Sequence, residues 1–324
     1  MKGEVIQYDT RLCTYCIECI MSFDIERFKQ VTVALNTPFD MNGDVDVEAT
    51  KRLCNYFYDK GVRSLYVCGS TGEGLLLDQE ERKKVVEAVC EAVGDKMTII
   101  VHVGTPSTKL SCELAAHAEK AGAHATSAVP NIYYHLSEES IYTHWTEITR
   151  ASNLPFFIYN IPQLTGYALS MELLDKMLAN EKVIGIKNSS DAPHDILRFK
   201  KRGGENFIVF NGPDEQYLAG HILGADAGIG GTYGAMPELY IKLEELIRAH
   251  KYDEAIKVQN IITPLIYRLC SFKSMYGACK AIITLDGCPI GAPRLPFLPV
   301  SIYDPNILAL YEDIKKAIEE VKDL

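Results

Sequence analysis

The sequence contains no apolar run of about 18 residues, which is the length that a helix needs to cross a bilayer. Its start, Met1 to Asp9, also lacks the apolar stretch of a secretory signal peptide. Both absences argue against insertion into a membrane or export across one. We therefore expect a protein that stays in the cytoplasm.

Positive charge is scarce as well. Lys and Arg number 33 against 43 Asp and Glu, which gives a formal net charge of −10 at pH 7. Nucleic acids and anionic membrane surfaces attract stripes of basic residues, and the sequence shows no such stripe. We expect a small-molecule partner instead. The G-x-G-x-x-G fingerprint is also missing after the first apolar run, which disfavours a dinucleotide-binding fold.

The ten cysteines lack the context of disulfides, because a long chain without a secretory signal keeps its thiols reduced. Cys13, Cys16 and Cys19 form a C-x-x-C-x-x-C run that could ligate a metal or an iron–sulfur cluster. The fourth cysteine of ferredoxins is missing, since Phe23-Asp24-Ile25 stands in that region. We therefore expect neither a metal nor another cofactor. Seven further cysteines are interpreted as packed core thiols: Cys54, Cys68, Cys90, Cys112, Cys270, Cys279 and Cys288.

Short apolar runs alternate with amphipathic segments from Val31 onward, which is typical of strand–helix units around a parallel sheet. Eight such units predict a closed (β/α)8 TIM barrel of the α/β class rather than an open sheet. The predicted strands are Val31 to Phe39, Ser64 to Ser70, Thr98 to Gly104, His124 to Asn131, Pro155 to Pro162, Val183 to Ser190, Asn206 to Gly212 and Ala227 to Tyr233. The predicted helices are Val47 to Lys60, a helix that Asp78 and Glu81 cap and Gly94 ends, Thr108 to Ala121, Glu138 to Ser152, Ser170 to Asn180, Pro193 to Arg202 and Asp214 to Leu223.

Only helical patterns follow the eighth run. The first, Met236 to His250, completes a barrel over residues 25–250. The other three predict a C-terminal three-helix appendage over residues 251–324: Tyr252 to Cys270, Lys273 to Asp286 and Asp304 to Lys322. Residues 1–24 have no place in this architecture, and we interpret them as an extra N-terminal arm outside the catalytic unit.

One lysine ends a predicted buried strand. Lys187 follows Val183-Ile184-Gly185-Ile186, at the point where the strand meets a loop. Burial lowers the pKa of a lysine, because the charged form loses more solvation. A neutral amine can then attack a carbonyl carbon and form a Schiff base. The alternative is a lysine with a buried stem and an ammonium that pairs with a surface carboxylate.

The loops after barrel strands build the site of this fold, so we considered the polar residues there as candidates. Gly69-Ser70-Thr71-Gly72-Glu73 either holds a carboxylate through hydroxyls and amides or forms only a tight turn. Tyr159 either relays protons or is a buried structural tyrosine. Asp214 and Glu215 either bind sugar hydroxyls or cap a helix.

Five motifs occur in an order that resembles the N-acetylneuraminate lyase and dihydrodipicolinate synthase superfamily of pyruvate-dependent class I aldolases. The resemblance runs from about Phe28 to the C terminus and is closest to the N-acetylneuraminate lyase-like branch. The motifs are Gly69-Ser70-Thr71-Gly72-Glu73, Tyr159-Asn160-Ile161-Pro162, Ile186-Lys187, Gly212-Pro213-Asp214-Glu215 and Gly224-Ala225-Asp226-Ala227-Gly228-Ile229-Gly230.

This resemblance implies a role for each catalytic candidate. Lys187 would form the Schiff base with pyruvate, and Tyr159 would shuttle protons. Ser70 and Thr71 would hold the pyruvate carboxylate. Tyr133 resembles the tyrosine that completes the proton relay, often across a subunit interface, although the loop here is one residue longer after Pro130. Similar enzymes are tetramers, so the resemblance also implies a homotetramer.

The resemblance also bears on the second substrate. Dihydrodipicolinate synthases usually carry an arginine where this chain has Leu164, whereas sialic-acid lyases carry an aliphatic residue. Four residues would then face the hydroxyls of a sugar acid: Ser189, Gly212, Asp214 and Glu215. Gly231 belongs to the same subsite, but the lyases tend to have serine there. We therefore expect cleavage of a 2-keto-3-deoxy sugar acid to pyruvate and an aldehyde, with N-acetylneuraminate first.

Other functions stay open at this point. Dihydrodipicolinate synthase or a 2-keto-3-deoxygluconate-type aldolase would use the same lysine on another substrate. A catalytically altered regulator on the same fold is a further alternative. A phosphate-binding isomerase would be supported by the weak glycine pattern Gly228-Ile229-Gly230-Gly231.

Overall fold

A computed structural model describes residues 23–324, in which eight parallel strands close into a barrel. Each strand pairs with the next along the chain, and the last pairs with the first, so that Thr32 lies beside both Ser64 and Ile229. The predicted (β/α)8 TIM barrel is therefore confirmed. The strands are β1 (Thr32–Ala34), β2 (Ser64–Val67), β3 (Thr98–His102), β4 (Ala125–Ala128), β5 (Phe156–Asn160), β6 (Val183–Asn188), β7 (Ile208–Asn211) and β8 (Ala227–Gly230).

Helices follow the strands, and side-chain caps begin many of them. The Asp78 carboxylate accepts a hydrogen bond from the Glu81 amide, while the Glu81 carboxylate accepts one from the Asp78 amide, as the sequence predicted. Ser107 and Ser170 cap two other helices through their hydroxyls alone, which accept hydrogen bonds from the Leu110 and Leu173 amides. The helices are α1 (Val47–Asp59), α2 (Gln79–Val93), α3 (Thr108–Ala121), α4 (Glu138–Arg150), α5 (Pro162–Thr165), α6 (Met171–Leu178), α7 (His194–Gly203), α8 (Tyr217–Ile222), α9 (Pro237–Arg248), α10 (Tyr252–Ser271), α11 (Met275–Leu285) and α12 (Pro305–Val321).

Two local elements differ from the prediction. The segment expected as one helix from Asp214 to Leu223 begins as a 3-10 turn, Asp214–Gln216, and only then becomes α8. The Asp214 carboxylate accepts hydrogen bonds from Thr232 instead of capping the helix. The helix α5 was not predicted, because four residues are too few to show a periodic pattern.

Aromatic side chains close the amino-terminal end of the barrel. Phe28 is buried there and packs edge-on against Phe157 at 5.1 Å between ring centroids. Phe23 and Ile25 are half-buried and pack against the same cluster. The predicted arm extends to residue 24, so its last residues contact the barrel. Residues 1–22 lie outside the described part of the chain, and with them the run Cys13, Cys16 and Cys19.

The C-terminal helices α10, α11 and α12 pack against one another, and α10 and α12 also pack against α9. A buried ion pair, Lys280 with Glu73 at 2.8 Å, joins α11 to the loop after β2. No helix in residues 23–324 is long and apolar enough to cross a membrane.

The cysteine prediction is partly wrong. Cys54, Cys68, Cys279 and Cys288 are buried thiols, as expected. Cys90 and Cys112 are only half-buried, and Cys270 is exposed at the end of α10. Single apolar neighbours in sequence do not show whether a position on a helix faces the core or the solvent.

Candidate active site

Lys187 lies in β6, where all six residues are buried. In the ladder between β5 and β6 it is the register partner of Tyr159, so both side chains leave the sheet side by side. The Lys187 Nζ atom is 4.2 Å from the Tyr159 ring centroid, and the lysine is 6% exposed. Of the two interpretations of this lysine, the structure favours a buried amine over a surface ion pair.

Lys187 and Tyr159 lie at the bottom of an open cavity of about 270 Å³ at the carboxyl ends of the strands. A larger cavity of about 600 Å³ lies between α10 and α12, but Lys187 does not line it. The predicted site residues that line the smaller cavity are Ser70, Thr71, Tyr159, Lys187, Ser189, Gly212, Asp214, Glu215 and Gly231. Nine of the ten site residues predicted from the sequence therefore line one cavity.

The loop that carries Ser70 and Thr71 is held by neighbouring side chains. Thr37 donates a hydrogen bond from its hydroxyl to the Gly72 carbonyl at 2.6 Å, and Asn36 donates one to the Thr71 carbonyl at 3.4 Å. Glu73 has a positive φ of 55° and is buried against Lys280. The loop thus presents both hydroxyls to the cavity in a fixed position.

Asp214 is a buried carboxylate that also lines the cavity. Its Oδ2 atom accepts hydrogen bonds from the Thr232 amide at 2.7 Å and the Thr232 hydroxyl at 2.5 Å. Burial raises the pKa of Asp214 to about 6, although the Thr232 hydrogen bonds act against this rise. Asp214 therefore titrates near neutrality, beside a cavity that also contains Glu215.

Two glycines shape the wall of the cavity. A Cβ atom at Gly212 would lie 2.1 Å from the Ser189 Oγ atom, so any side chain there would displace this serine. A Cβ atom at Gly231 would lie 3.0 Å from the Thr71 Oγ1 atom and 3.5 Å from the Met275 Cε atom. The space over Gly231 is therefore bounded by a hydroxyl and a methionine methyl group.

Tyr133 is the predicted site residue that the structure does not bring to the cavity. Its side chain is 88% exposed, its backbone has a positive φ of 76°, and its ring contacts Tyr134 edge-on. The role of Tyr133 across a subunit interface therefore stays a prediction.

Several residues at the site were missed by sequence reasoning. Ile266, Cys270, Met275 and Tyr276 reach the cavity from α10 and α11, far along the chain from the strand ends. Asp191 lines the cavity just after β6. The sequence could have indicated Asp191, because it follows a predicted strand. The residues on α10 and α11 could not have been found in this way, because their sequence shows only the amphipathic pattern of a helix.

The fold and the site define a (β/α)8 barrel with a buried lysine at a strand end, beside a tyrosine and a hydroxyl-bearing loop. The chain belongs to the dihydrodipicolinate synthetase family, which it matches over residues 27–312. It is 44% identical to an N-acetylneuraminate lyase of Mediterraneibacter gnavus over 303 residues, covering 93% of this chain and 94% of that protein. It is 34% identical to an N-acetylneuraminate lyase of Rhizobium meliloti, covering 87% and 92%.

Solved structures agree with these relatives. The sialic acid aldolase of Ruminococcus gnavus superimposes with a TM-score of 0.88 at 42% identity, covering 90% of this chain and 99% of that one. The N-acetylneuraminate lyase of Fusobacterium nucleatum gives 0.81 at 29% identity, covering 90% and 98%. The predicted superfamily and its lyase-like branch are thereby confirmed.

Proposed function

We propose that this chain is a class I aldolase that cleaves N-acetylneuraminate to N-acetylmannosamine and pyruvate through a Schiff base on Lys187. The juxtaposition of the Lys187 amine and the Tyr159 ring at 4.2 Å, in a cavity at the strand ends, carries this proposal. The 44% identity to an N-acetylneuraminate lyase over nearly the whole chain supports the substrate.

The residues of the cavity supply each step of this reaction. The Lys187 amine, which reacts in its deprotonated form, attacks the C2 carbonyl of the open-chain sugar acid, and water leaves to give an iminium ion. A base removes the proton of the C4 hydroxyl, the C3–C4 bond breaks, and its electron pair passes into the enamine as the aldehyde leaves. Protonation at C3 and addition of water then release pyruvate and the free amine.

Tyr159 and the loop after β2 have distinct parts in this mechanism. The Tyr159 hydroxyl transfers the protons of the carbinolamine and of the C4 hydroxyl, since Tyr159 lies beside the amine in register. The Ser70 and Thr71 hydroxyls bind the substrate carboxylate and so fix C2 next to Lys187.

The choice of a sugar acid over aspartate semialdehyde depends on other residues that line the cavity. Leu164 is 62% exposed there and offers no charge to a second carboxylate. Without that charge-assisted contact, aspartate semialdehyde loses about 1.5–3 kcal/mol, or roughly ten- to a hundredfold in selectivity. Ser189, Asp214 and Glu215 instead offer hydrogen-bonding groups to sugar hydroxyls.

The active form is proposed to be a homotetramer in which Tyr133 completes the site of a neighbouring subunit. The 88% exposure of Tyr133 supports this, because an exposed aromatic side chain outside the Lys187 cavity is available to pack against a neighbouring subunit.

Borohydride trapping tests the chemistry. Incubation with pyruvate and sodium borohydride should fix a reduced adduct, which mass spectrometry after proteolysis should place on Lys187. Lys187→Met is the control and should give no adduct. An adduct elsewhere, or none with folded protein, would overturn the aldolase proposal.

A coupled assay tests the substrate. Pyruvate release is measured with N-acetylneuraminate and 2-keto-3-deoxygluconate, beside pyruvate consumption with aspartate semialdehyde. We expect N-acetylneuraminate to give the highest kcat/KM. A higher kcat/KM with aspartate semialdehyde would reject N-acetylneuraminate as the substrate, even if the adduct is found on Lys187.

A further inference from the structure

A second aromatic ring lies against the Lys187 amine. The Nζ atom is 4.5 Å from the Tyr66 ring centroid, compared with 4.2 Å for Tyr159. The two rings meet edge to face at 5.9 Å, so they form two sides of a box around the nitrogen. Both distances lie within the range over which an aromatic face attracts a cation.

The box takes the place of a counter-ion. Within residues 23–324, Lys187 forms no ion pair and donates no hydrogen bond, although it is 6% exposed. Lys280, the other buried lysine of the site region, pairs with Glu73 and donates to two carbonyl oxygens. Positive charge that arises on the Lys187 nitrogen would therefore be stabilised by the ring faces beside it.

The Tyr66 ring is fixed by contacts that do not involve Lys187. Its hydroxyl donates a hydrogen bond to the Ser127 Oγ atom at 3.0 Å on β4. A Cβ atom at Gly69 would lie 2.7 Å from the Tyr66 ring, so the first glycine of the Gly69–Glu73 loop is needed for the ring to lie beneath it. The loop that holds the substrate carboxylate and the ring that contacts the amine are therefore packed as one unit.

A histidine packs against both rings of the box without adding charge. The His102 Nδ1 atom lies 3.2 Å from the Cys68 carbonyl oxygen, and its Nε2 atom accepts a hydrogen bond from the Val129 amide at 3.3 Å. Burial keeps the pKa of His102 well below its ordinary value, and Arg82 acts in the same direction. A neutral imidazole thus packs edge-on against Tyr159 at 5.8 Å, so it does not repel a cation in the box.

We propose that Tyr66 is a positioning residue that holds the Lys187 amine against Tyr159 and stabilises the iminium cation through its ring face. This inference rests on the proposed Schiff-base function and deepens it. Formation of the iminium ion places a permanent positive charge at the nitrogen that the two rings enclose, and the Tyr66 ring face stabilises this charge. The Tyr66 hydroxyl helps to fix the ring through Ser127 but does not contact the amine, and the packing under Gly69 still holds the ring when the hydroxyl is removed.

The experiment measures the pyruvate concentration that gives half-maximal borohydride trapping. Tyr66→Leu should raise this concentration about 3- to 30-fold, the range of a lost cation–π contact. Tyr66→Phe, which keeps the ring and loses only the hydroxyl, should restore trapping to within about twofold of the native protein. Thermal unfolding of each variant reports whether the fold is intact.

A fluorinated series keeps the test valid if Tyr66→Leu does not fold. Phenylalanine with one, two and three ring fluorines at position 66 has nearly constant shape but a progressively weaker ring quadrupole. Trapping should weaken with each fluorine. Equal trapping across the series, or equal loss in Tyr66→Phe and Tyr66→Leu, would overturn the inference. Absence of any adduct in the native protein would instead reject the proposed function.

Discussion

Two lysines are buried at the carboxyl end of this barrel, and their surroundings separate their roles. Lys280 has a carboxylate 2.8 Å away and two carbonyl acceptors, all of which satisfy an ammonium ion. Lys187 has aromatic faces and an open cavity in front of it. The Lys280 nitrogen has all its hydrogen-bond partners within the protein, whereas the Lys187 nitrogen stays accessible to the carbonyl carbon of a substrate.

Tyr159→Phe tests the proposed proton transfer at this lysine. The variant keeps the ring that packs against Lys187 and loses only the hydroxyl. We expect turnover of N-acetylneuraminate to fall roughly 10²–10⁴-fold, the usual range for a lost acid–base group. Steady-state kinetics measures kcat, and circular dichroism checks the fold. A loss below about threefold would remove Tyr159 from the mechanism.

Asp214 should make sugar-acid binding depend on pH. Its pKa is raised to about 6 by burial, so the carboxylate accepts hydroxyl hydrogen bonds above this pH and becomes protonated below it. We expect KM for N-acetylneuraminate to rise as pH falls through 6. The reference is the pyruvate concentration that gives half-maximal borohydride trapping, and we expect the ratio of KM to this concentration to rise. Asp214→Asn should abolish this relative change. If the ratio of the two concentrations stays constant from pH 7 to 5 in the native protein, Asp214 does not bind the sugar hydroxyls as proposed.

The same shift has a consequence for stability. A carboxyl group with a pKa raised from 3.8 binds its proton more tightly in the folded state. The resulting stabilisation is fully present below pH 3.8 and is lost as pH rises through about 6. Asp214→Asn, which is neutral throughout, should lack this contribution to the pH dependence of unfolding.

At the scale of elements, the ion pair between α11 and the loop after β2 ties the C-terminal helices to the site. Lys280→Met leaves the Glu73 carboxylate buried without its partner, which typically costs about 3–5 kcal/mol. The double variant with Glu73→Gln should recover part of that loss, because no charge is then left buried. Urea unfolding measures both. Equal stability of Lys280→Met and the native protein would show that the pair is not needed.

The strands and the helices differ in how far the sequence could predict them. All eight strands lie within the predicted runs, because apolar runs bounded by turn residues and separated by helical patterns are distinctive. Which side chains face the interior was not predictable. Every residue of β2 is buried, so Tyr66 shows no alternation that separates the barrel interior from the helix-facing side.

The cavity residues likewise divide into those at strand ends, which the sequence could predict, and those that depend on tertiary packing, which it could not. Lys187, Tyr159 and the Ser70 loop were found because strand ends can be located in the sequence. Met275 and Tyr276 were missed because they depend on how α11 packs over the barrel, which is a tertiary property. Tyr133 was found by resemblance to the family, since its exposed position gives no local signal.

At the scale of the whole molecule, deletion of residues 1–20 should leave folding and turnover intact. The aromatic residues that close the barrel end, Phe23 and Phe28, lie beyond this deletion. Deletion of residues 1–28 is the matched comparison, because it also removes Phe28 and should cost about 3–5 kcal/mol. Thermal unfolding and pyruvate release measure both. Zinc or iron bound stoichiometrically through Cys13, Cys16 and Cys19, with activity lost on the shorter deletion, would refute this prediction.

Tyr133 is the residue that we propose to connect the site to assembly. A tyrosine at a φ of 76° carries backbone strain that surrounding structure normally compensates, yet the side chain is 88% exposed in the single chain. If a neighbouring subunit supplies that compensation, Tyr133→Ala and Lys187→Met should each be nearly inactive alone. Hybrids of the two should regain activity, since an intact Lys187 then receives Tyr133 from the other subunit.

Differently tagged subunits, refolded together and purified through both tags, provide these hybrids for the pyruvate-release assay. Hybrids of Lys187→Met with Tyr159→Phe are the control, because Lys187 and Tyr159 are register partners within one chain and should not complement each other. Activity in the first hybrid above that of the control would place Tyr133 in the partner's site. A monomer by size-exclusion chromatography with full turnover would disprove the shared site, because each chain would then complete its cavity alone.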